Sequence, residues 1–287
     1  MKIEGIWLPI ITPFKDAEID LKSYKNLVEY YISKGITGII PLATTGECPT
    51  ISEYEFDLLV DKSLEFVDGR IPVYIGLGGN YTEKIIKQLR KLDNMDIEGI
   101  LSVCPYYNLP SQEGIFQHFS ALAHSTDLNI MIYNIPYRTG RNIENNTIYR
   151  LAELDNIVAI KDSCGDFKQS MELIYNKPDR LSVLTGEDIF YYTNIINGGD
   201  GGILASSHLN TEVFVEIYRL VKKEKDFTRA LQKWRSIYNL IPLLFKEPNP
   251  APLKYCLKRN GLLKSEEVRL PLTSISGSLQ EELKSLL

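Results

Sequence analysis

One lysine of this chain stands in an unusual place. In IVAIKDSC, residues 157–164, an unbroken apolar run leads straight into Lys161 and Asp162. A strand without polar alternation is buried on both faces, so the residue that ends it is directed into an enclosed site. Burial disfavours the charged form of an amine and lowers its pKa. Lys161 is then a nucleophile able to form a Schiff base with a carbonyl compound; the plain alternative is a lysine that emerges into water. Tyr133 ends another apolar run, in IMIYNIP. It is either a buried tyrosine bonded to some carbonyl or, beside an imine-forming lysine, a proton relay coupled to Thr44. The turn Thr44-Thr45-Gly46-Glu47 offers side-chain hydroxyls and convergent backbone N–H groups, which suits a carboxylate. Arg138, on the loop after Pro136, can clamp a second carboxylate bidentately or be an ordinary solvated arginine.

These groups need strands to carry them. Short apolar runs recur as IWLPIIT (6–12), GIIPLAT (38–44), PVYIGLG (72–78), GILSVCP (99–105), NIMIYNIP (129–136), IVAIKDS (157–163), LSVLTG (181–186) and GGILASS (201–207). Amphipathic stretches separate them; in LKSYKNLVEYYISKG, Leu21, Tyr24, Leu27, Val28 and Tyr31 share one helical face. Ser52 with Glu55 reads as a capping box, and Thr82 reads as a cap before the run Ile85 to Leu89. Near-continuous apolar strands alternating with helices indicate a parallel sheet, and about eight such units fit a (β/α)8 TIM barrel. Residues 1–225 are assigned to that α/β barrel, and 226–287, purely helical in pattern, to a C-terminal helical extension. A doubly wound open sheet is the competing architecture. In a barrel, catalytic groups come from the C-terminal ends of strands, which is where Thr44, Tyr133 and Lys161 fall.

Composition narrows the function classes. The chain has 287 residues, 44% of them hydrophobic, and a net charge of −5, with no long basic run, so it is not expected to bind nucleic acid. No stretch reaches the ~18 consecutive apolar residues of a membrane span. Pro9, Pro13 and Glu4 spoil the N-terminal run as a signal peptide. A soluble cytoplasmic protein with reduced thiols is expected. Cys48, Cys104, Cys164 and Cys256 show no metal-knuckle spacing, and His118, His124 and His208 form no HxH or HxxxH pair, so no metal site is expected. Cys48, Cys104 and Cys164 read as small buried hydrophobes near the barrel mouth. GGDGGILASS lacks both Rossmann and Walker spacing and reads as tight turns into the last strand.

Taken together, the segments resemble the pyruvate-dependent class I aldolase superfamily, and within it the dihydrodipicolinate synthase family. The likeness runs from GIWLPIITPF through TTGE, PYYNLPSQEGIFQHF, YNIPYRTG, IKDSCGD, TGED and GGDGGI to EPNPAPLK and RLPLTSI. The resemblance implies that Lys161 forms an imine with pyruvate, without any cofactor, and that Tyr133 moves the protons, linked through Thr44 to Tyr107. It implies that Thr45 holds the pyruvate carboxylate and Arg138 that of aspartate 4-semialdehyde, with Gly186 and Ile203 adding backbone contacts. Since Tyr107 reaches a neighbouring subunit's site in that family, a homodimer or a homotetramer built as a dimer of dimers is implied. The nearest competing reading is a paralogue cleaving N-acetylneuraminate or a 2-keto-3-deoxy sugar acid; a silent sensor is a third, disfavoured by the retained reactive groups. Asp162-Ser163-Cys164 departs from the usual Glu-Ala after the lysine, and Leu77-Gly78-Gly79-Asn80 from GTGxN. In lysine-inhibited members a glutamate and histidines line an effector site. Asn80 and Tyr106 match it, but Lys84 replaces the glutamate and Glu53 and Phe56 stand where histidines occur, so weak or absent inhibition by lysine is expected.

Overall fold

The helical face of LKSYKNLVEYYIS is buried as its spacing requires. Helix α1, Leu21–Ser33, buries Tyr24, Leu27, Val28 and Tyr31, while Leu21 at its first turn is half-buried. Asp20 Oδ1 accepts the Ser23 N–H at 3.0 Å, satisfying one of the donors that a helix start leaves open. Each buried aliphatic side chain on such a face contributes ~1.5–3 kcal/mol. Helix α2, Glu53–Val67, opens with the expected capping box, with Ser52 and Glu55 bonding each other's backbone.

The computed structural model describes residues 2–286. Its strands are β1 (Gly5–Leu8), β2 (Gly38–Ile39), β3 (Tyr74–Gly76), β4 (Gly99–Val103), β5 (Asn129–Asn134), β6 (Ile157–Asp162), β7 (Ser182–Thr185) and β8 (Gly201–Ile203). They form one eight-stranded sheet in the order β2-β1-β8-β7-β6-β5-β4-β3. The registered neighbours are parallel, and an isolated parallel bridge from Ile39 to Val73 joins the two ends of that order. Helices α3 (Thr82–Leu92), α4 (Gln112–Ala123), α5 (Asn145–Leu151), α6 (Phe167–Asn176), α7 (Tyr191–Ile196) and α8 (Thr211–Arg219) continue the alternation. This is the (β/α)8 barrel architecture. Three further helices of eight residues or more follow: α9 (Phe227–Ile237), α10 (Ala251–Arg259) and α11 (Gly277–Lys284).

Tyr74–Ile203, with the segment ending at Gly5, forms one compact unit; Ile6–Val73 and the chain from Leu204 onward form another. In the first unit, the Gly5 N–H reaches the Asp200 carbonyl at 3.0 Å. The buried Asp200 carboxylate is paired with Lys2 at 2.7 Å and Lys177 at 3.0 Å. In the second unit, Trp7 and Leu8 lie opposite Gly38 and Ile39, and Phe214 of α8 meets Trp234 of α9 edge-on, 6.4 Å between ring centroids.

Several strands are shorter than their apolar runs. GIIPLAT keeps only Gly38–Ile39 in the ladder. Pro41 has no N–H to give, Leu42 adopts φ +60°, and Thr44–Gly46 becomes a single 3-10 turn. Thr82 is the first residue of α3 rather than its cap, which is Tyr81; the Thr82 hydroxyl instead bonds His118 Nδ1 at 2.9 Å. The expectation of a buried Cys48 also fails. Cys104 and Cys256 are buried and Cys164 half-buried, but Cys48 is exposed, since it lies beyond the left-handed Glu47 where the chain turns outward. Among the described residues, no helix is long and apolar enough to cross a membrane, and no group of three His, Cys, Asp or Glu side chains could hold a metal ion.

Candidate active site

Parallel pairing of β5 with β6 places Tyr133 and Lys161 directly opposite each other near the strands' C-terminal ends. Lys161 is 4% exposed and Tyr133 5%, and the lysine Nζ lies 4.1 Å from the centre of the tyrosine ring. Burial pushes the Lys161 amine down to about 8, and the Arg138 guanidinium pushes in the same direction; Asp188 and Glu187 oppose both. Burial raises the Tyr133 phenol above its ordinary value, so it stands protonated as a donor. Glu187, on the next strand-end loop, is raised to about 7 by burial and by the carboxylates of Asp188 and Asp162. An amine and a carboxyl whose pKa values both approach neutrality, beside a protonated phenol, make a site suited to stepwise proton transfer.

Gly186 follows β7 and is bound by its N–H to the Asp162 carbonyl at 2.7 Å. A Cβ there would lie 2.2 Å from Ser163 Oγ and 2.6 Å from Lys161 Cε, so only glycine leaves room for the lysine chain. Ile203 ends β8 and is fully buried. Arg138 sits in the single helical turn Pro136–Thr139, closed by Gly140 at φ +73°, and its guanidinium is 5.7 Å from the Tyr137 ring. Asn134, adjacent to Tyr133, pins the loop: its Nδ2 donates to Asn142 Oδ1 at 2.8 Å and its Oδ1 accepts the Ile143 N–H at 3.0 Å.

The unusual tail after Lys161 has a structural part. Asp162 Oδ1 accepts the Cys164 N–H at 3.2 Å, and its other oxygen accepts the Ser170 hydroxyl, tying β6 to α6. Ser163 turns the other way, beside Tyr133 and against Gly186. Tyr107 is 89% exposed with φ +72°. Of the positions that the resemblance matches to an effector site, Lys84 lies exposed on the first turn of α3 and Tyr106 is 40% exposed; the Asn80 carbonyl accepts Asn108 Nδ2 at 2.9 Å.

The second unit holds Thr44 and Thr45. Thr45 is 3% exposed, and its Oγ1 accepts a hydrogen bond from Asn249 Nδ2 at 3.0 Å. Thr12 Oγ1 donates to the Gly46 carbonyl at 2.8 Å. Glu47 is completely buried with Lys254 as its ion-pair partner, and its Oε2 accepts the Arg269 N–H at 3.1 Å. Lys254 also donates to the Glu267 carbonyl at 2.8 Å. Burial lowers the Lys254 amine to about 8 against the pull of Glu47. Residue types alone do not single out Asn249, Lys254, Arg269 and Glu187. A signal for Lys254 existed: it lies one helical turn from Pro250 and Leu257 within a buried stretch, and a lysine there needs a buried acid.

The family model of the dihydrodipicolinate synthetases matches residues 2–287. The chain is 56% identical over 287 residues to the 4-hydroxy-tetrahydrodipicolinate synthase 2 of Clostridium acetobutylicum, covering 100% of both chains. Its fold matches the crystal structure of dihydrodipicolinate synthase from Thermotoga maritima with a TM-score of 0.96 at 36% identity, over 100% of this chain and 98% of that one. A solved structure described as the first monomeric dihydrodipicolinate synthase variant matches with a TM-score of 0.96 at 36% identity, over 99% of this chain and 95% of that one. A relative this similar over its whole length, together with a family match of the same extent, establishes that the chain belongs to the dihydrodipicolinate synthetase family.

Proposed function

We propose that the chain condenses pyruvate with L-aspartate 4-semialdehyde to 4-hydroxy-tetrahydrodipicolinate through an imine on Lys161, a step of lysine and diaminopimelate biosynthesis. The observation that carries this reading is the buried Lys161 amine 4.1 Å from the Tyr133 ring. The neutral amine adds to the pyruvate keto carbon, and the carbinolamine loses water as Tyr133 returns a proton. The Tyr133 phenolate left by that donation takes a methyl proton to give the enamine, whose carbon attacks the aldehyde as Tyr133 protonates the new alkoxide. The amino group of the second substrate then adds to the imine carbon and expels Lys161. Thr44 and Tyr107 extend the relay, Thr45 holds the pyruvate carboxylate, and Gly186 and Ile203 shape the pocket. The relatives described above are named for the synthase activity, not for sugar-acid cleavage.

Borohydride reduction with pyruvate, followed by peptide mass spectrometry, tests the chemistry; the expected adduct is on Lys161, and its absence would remove the imine mechanism. A coupled assay with aspartate 4-semialdehyde tests the substrate. Arg138 binds the carboxylate of that aldehyde. Arg138→Ala is expected to raise its KM by about tenfold or more, the weight of a charge-assisted hydrogen bond. The same variant removes a cation that lowers the Lys161 pKa. Wild-type kcat/KM for pyruvate should therefore rise with pH through about 8, and the variant's ascending limb should move to higher pH. A limb that stays put or moves down contradicts the arrangement.

The exposure of Tyr107, 89% in the single chain, supports its completing a neighbouring subunit's site, so the working form is a homodimer or a tetramer of two dimers. Light scattering on the active enzyme checks this; full activity in a monomer would count against it. Lys84 puts an ammonium where the effector site has its glutamate, and Glu53 and Phe56 take the places of its histidines. L-lysine at low millimolar concentration is expected to inhibit initial rates by less than about a tenth, since like charges repel; substantial inhibition is the contrary result.

A further inference from the structure

The motifs EPNPAPLK and RLPLT have no part in the imine chemistry, yet both converge on the TTGE turn. Asn249 is 7% exposed and Thr45 3%, and the amide nitrogen donates to the threonine oxygen at 3.0 Å. A hydroxyl has a single hydrogen and accepts through its lone pairs. With an amide N–H held on one lone pair of Oγ1, the hydroxyl hydrogen is directed away from Asn249 and stays available to donate, and a carboxylate is a strong acceptor for it. A second bond runs between the same two segments. Lys254, one turn into α10, is paired with Glu47, with both side chains fully buried. Glu47 is fixed in turn by the Arg269 N–H at 3.1 Å. The turn between Thr45 and Glu47 has no slack: a Cβ on Gly46 would lie 3.1 Å from the Ile10 carbonyl.

We propose that Asn249 is a positioning residue for pyruvate: by donating to Thr45 Oγ1 it directs the threonine's own hydrogen to the substrate carboxylate, and the Glu47–Lys254 pair keeps the two segments in register. The proposal rests on the reading that Thr45 holds that carboxylate. Asn249 touches no substrate atom in this arrangement; it sets the direction of a hydroxyl that does.

The test is steady-state kinetics with pyruvate and aspartate 4-semialdehyde on Asn249→Ala, Asn249→Asp, Thr45→Val and the double variant Thr45→Val/Asn249→Ala. KM does not depend on the fraction of active protein, so partial misfolding does not obscure the result. Asn249→Ala is expected to raise the pyruvate KM about tenfold with kcat changed less than about threefold, and to leave the aldehyde KM unchanged. Asn249→Asp keeps the shape but replaces the donor with an acceptor, which captures the threonine hydrogen; its pyruvate KM should rise about tenfold further. On the Thr45→Val background the alanine change should add less than about twofold. Equal effects of Ala and Asp, or a full tenfold effect on the Thr45→Val background, overturns the proposal while leaving the role of Thr45 standing. A Thr45→Val enzyme with unchanged pyruvate KM overturns the reading of Thr45 itself, and the proposal with it.

Discussion

Gly186→Ala is expected to lower kcat/KM for pyruvate by about 10²–10³-fold, with little change in melting temperature. The added methyl would stand 2.2 Å from Ser163 Oγ and 2.6 Å from Lys161 Cε, distances at which one partner has to move. The backbone can accept alanine, since the φ of Gly186 lies outside the left-handed region. The movable groups are the side chains, and the flexible lysine chain gives way first. A displacement of about 1 Å at a reacting atom costs on the order of 10²-fold, and the amine also loses its placement against Tyr133. Removing the serine hydroxyl as well, in Gly186→Ala/Ser163→Gly, relieves the shorter contact but not the one to Lys161. The double variant should therefore stay within a few-fold of the single. Rates from single-turnover mixing with pyruvate, beside a thermal melt, check this; a Gly186→Ala enzyme with near wild-type rates would mean that the lysine has another route into the site.

Lys254→Met is expected to destabilise the protein by about 3–5 kcal/mol, because it leaves Glu47 charged, buried and without its cation. In a chain of this length that lowers the melting temperature on the order of 10 °C. Glu47→Gln/Lys254→Met should be more stable than Lys254→Met alone. Glutamine removes the charge yet keeps a carbonyl to accept the Arg269 N–H that Glu47 holds at 3.1 Å, and a buried pair replaced on both sides is often close to neutral. Differential scanning of the single and double variants at pH 7 reads the comparison. If the double is no better than the single, the lysine's worth lies in its contacts with Phe14, whose ring centre is 4.2 Å from Nζ, and with the Glu267 carbonyl.

These two residues also mark the limits of reading the chain as a string. Lys161 was legible because the residues before it are apolar without interruption, and that pattern has few realisations in a parallel sheet. Tyr133 was legible for the same reason, and the register of β5 with β6 brings the two together. The end of the second strand was not. Pro41 and the left-handed Leu42 break the ladder after Ile39, so Thr44 and Thr45 arrive on a 3-10 turn instead of a strand end. The support of that turn was invisible for a different reason. Asn249 and Lys254 lie 204 and 207 residues from their partners, and no local periodicity encodes a pairing at such separation. The sequence assigns Glu187 no role, because its raised pKa comes from burial and neighbours that only the fold supplies.

The same separations bear on how the protein is made. A chain leaves the ribosome N-terminus first, and β1 to β8 can begin to pair while the last helices are still unsynthesised. The TTGE turn has no such early completion. Its threonine waits for Asn249, its glutamate for Lys254 and Arg269, and Arg269 also reaches back 252 residues to the Ala17 carbonyl at 2.7 Å. Long-range closures of this kind come late and slowly in folding. Most of the polypeptide is therefore assembled before the proposed pyruvate site acquires its final form.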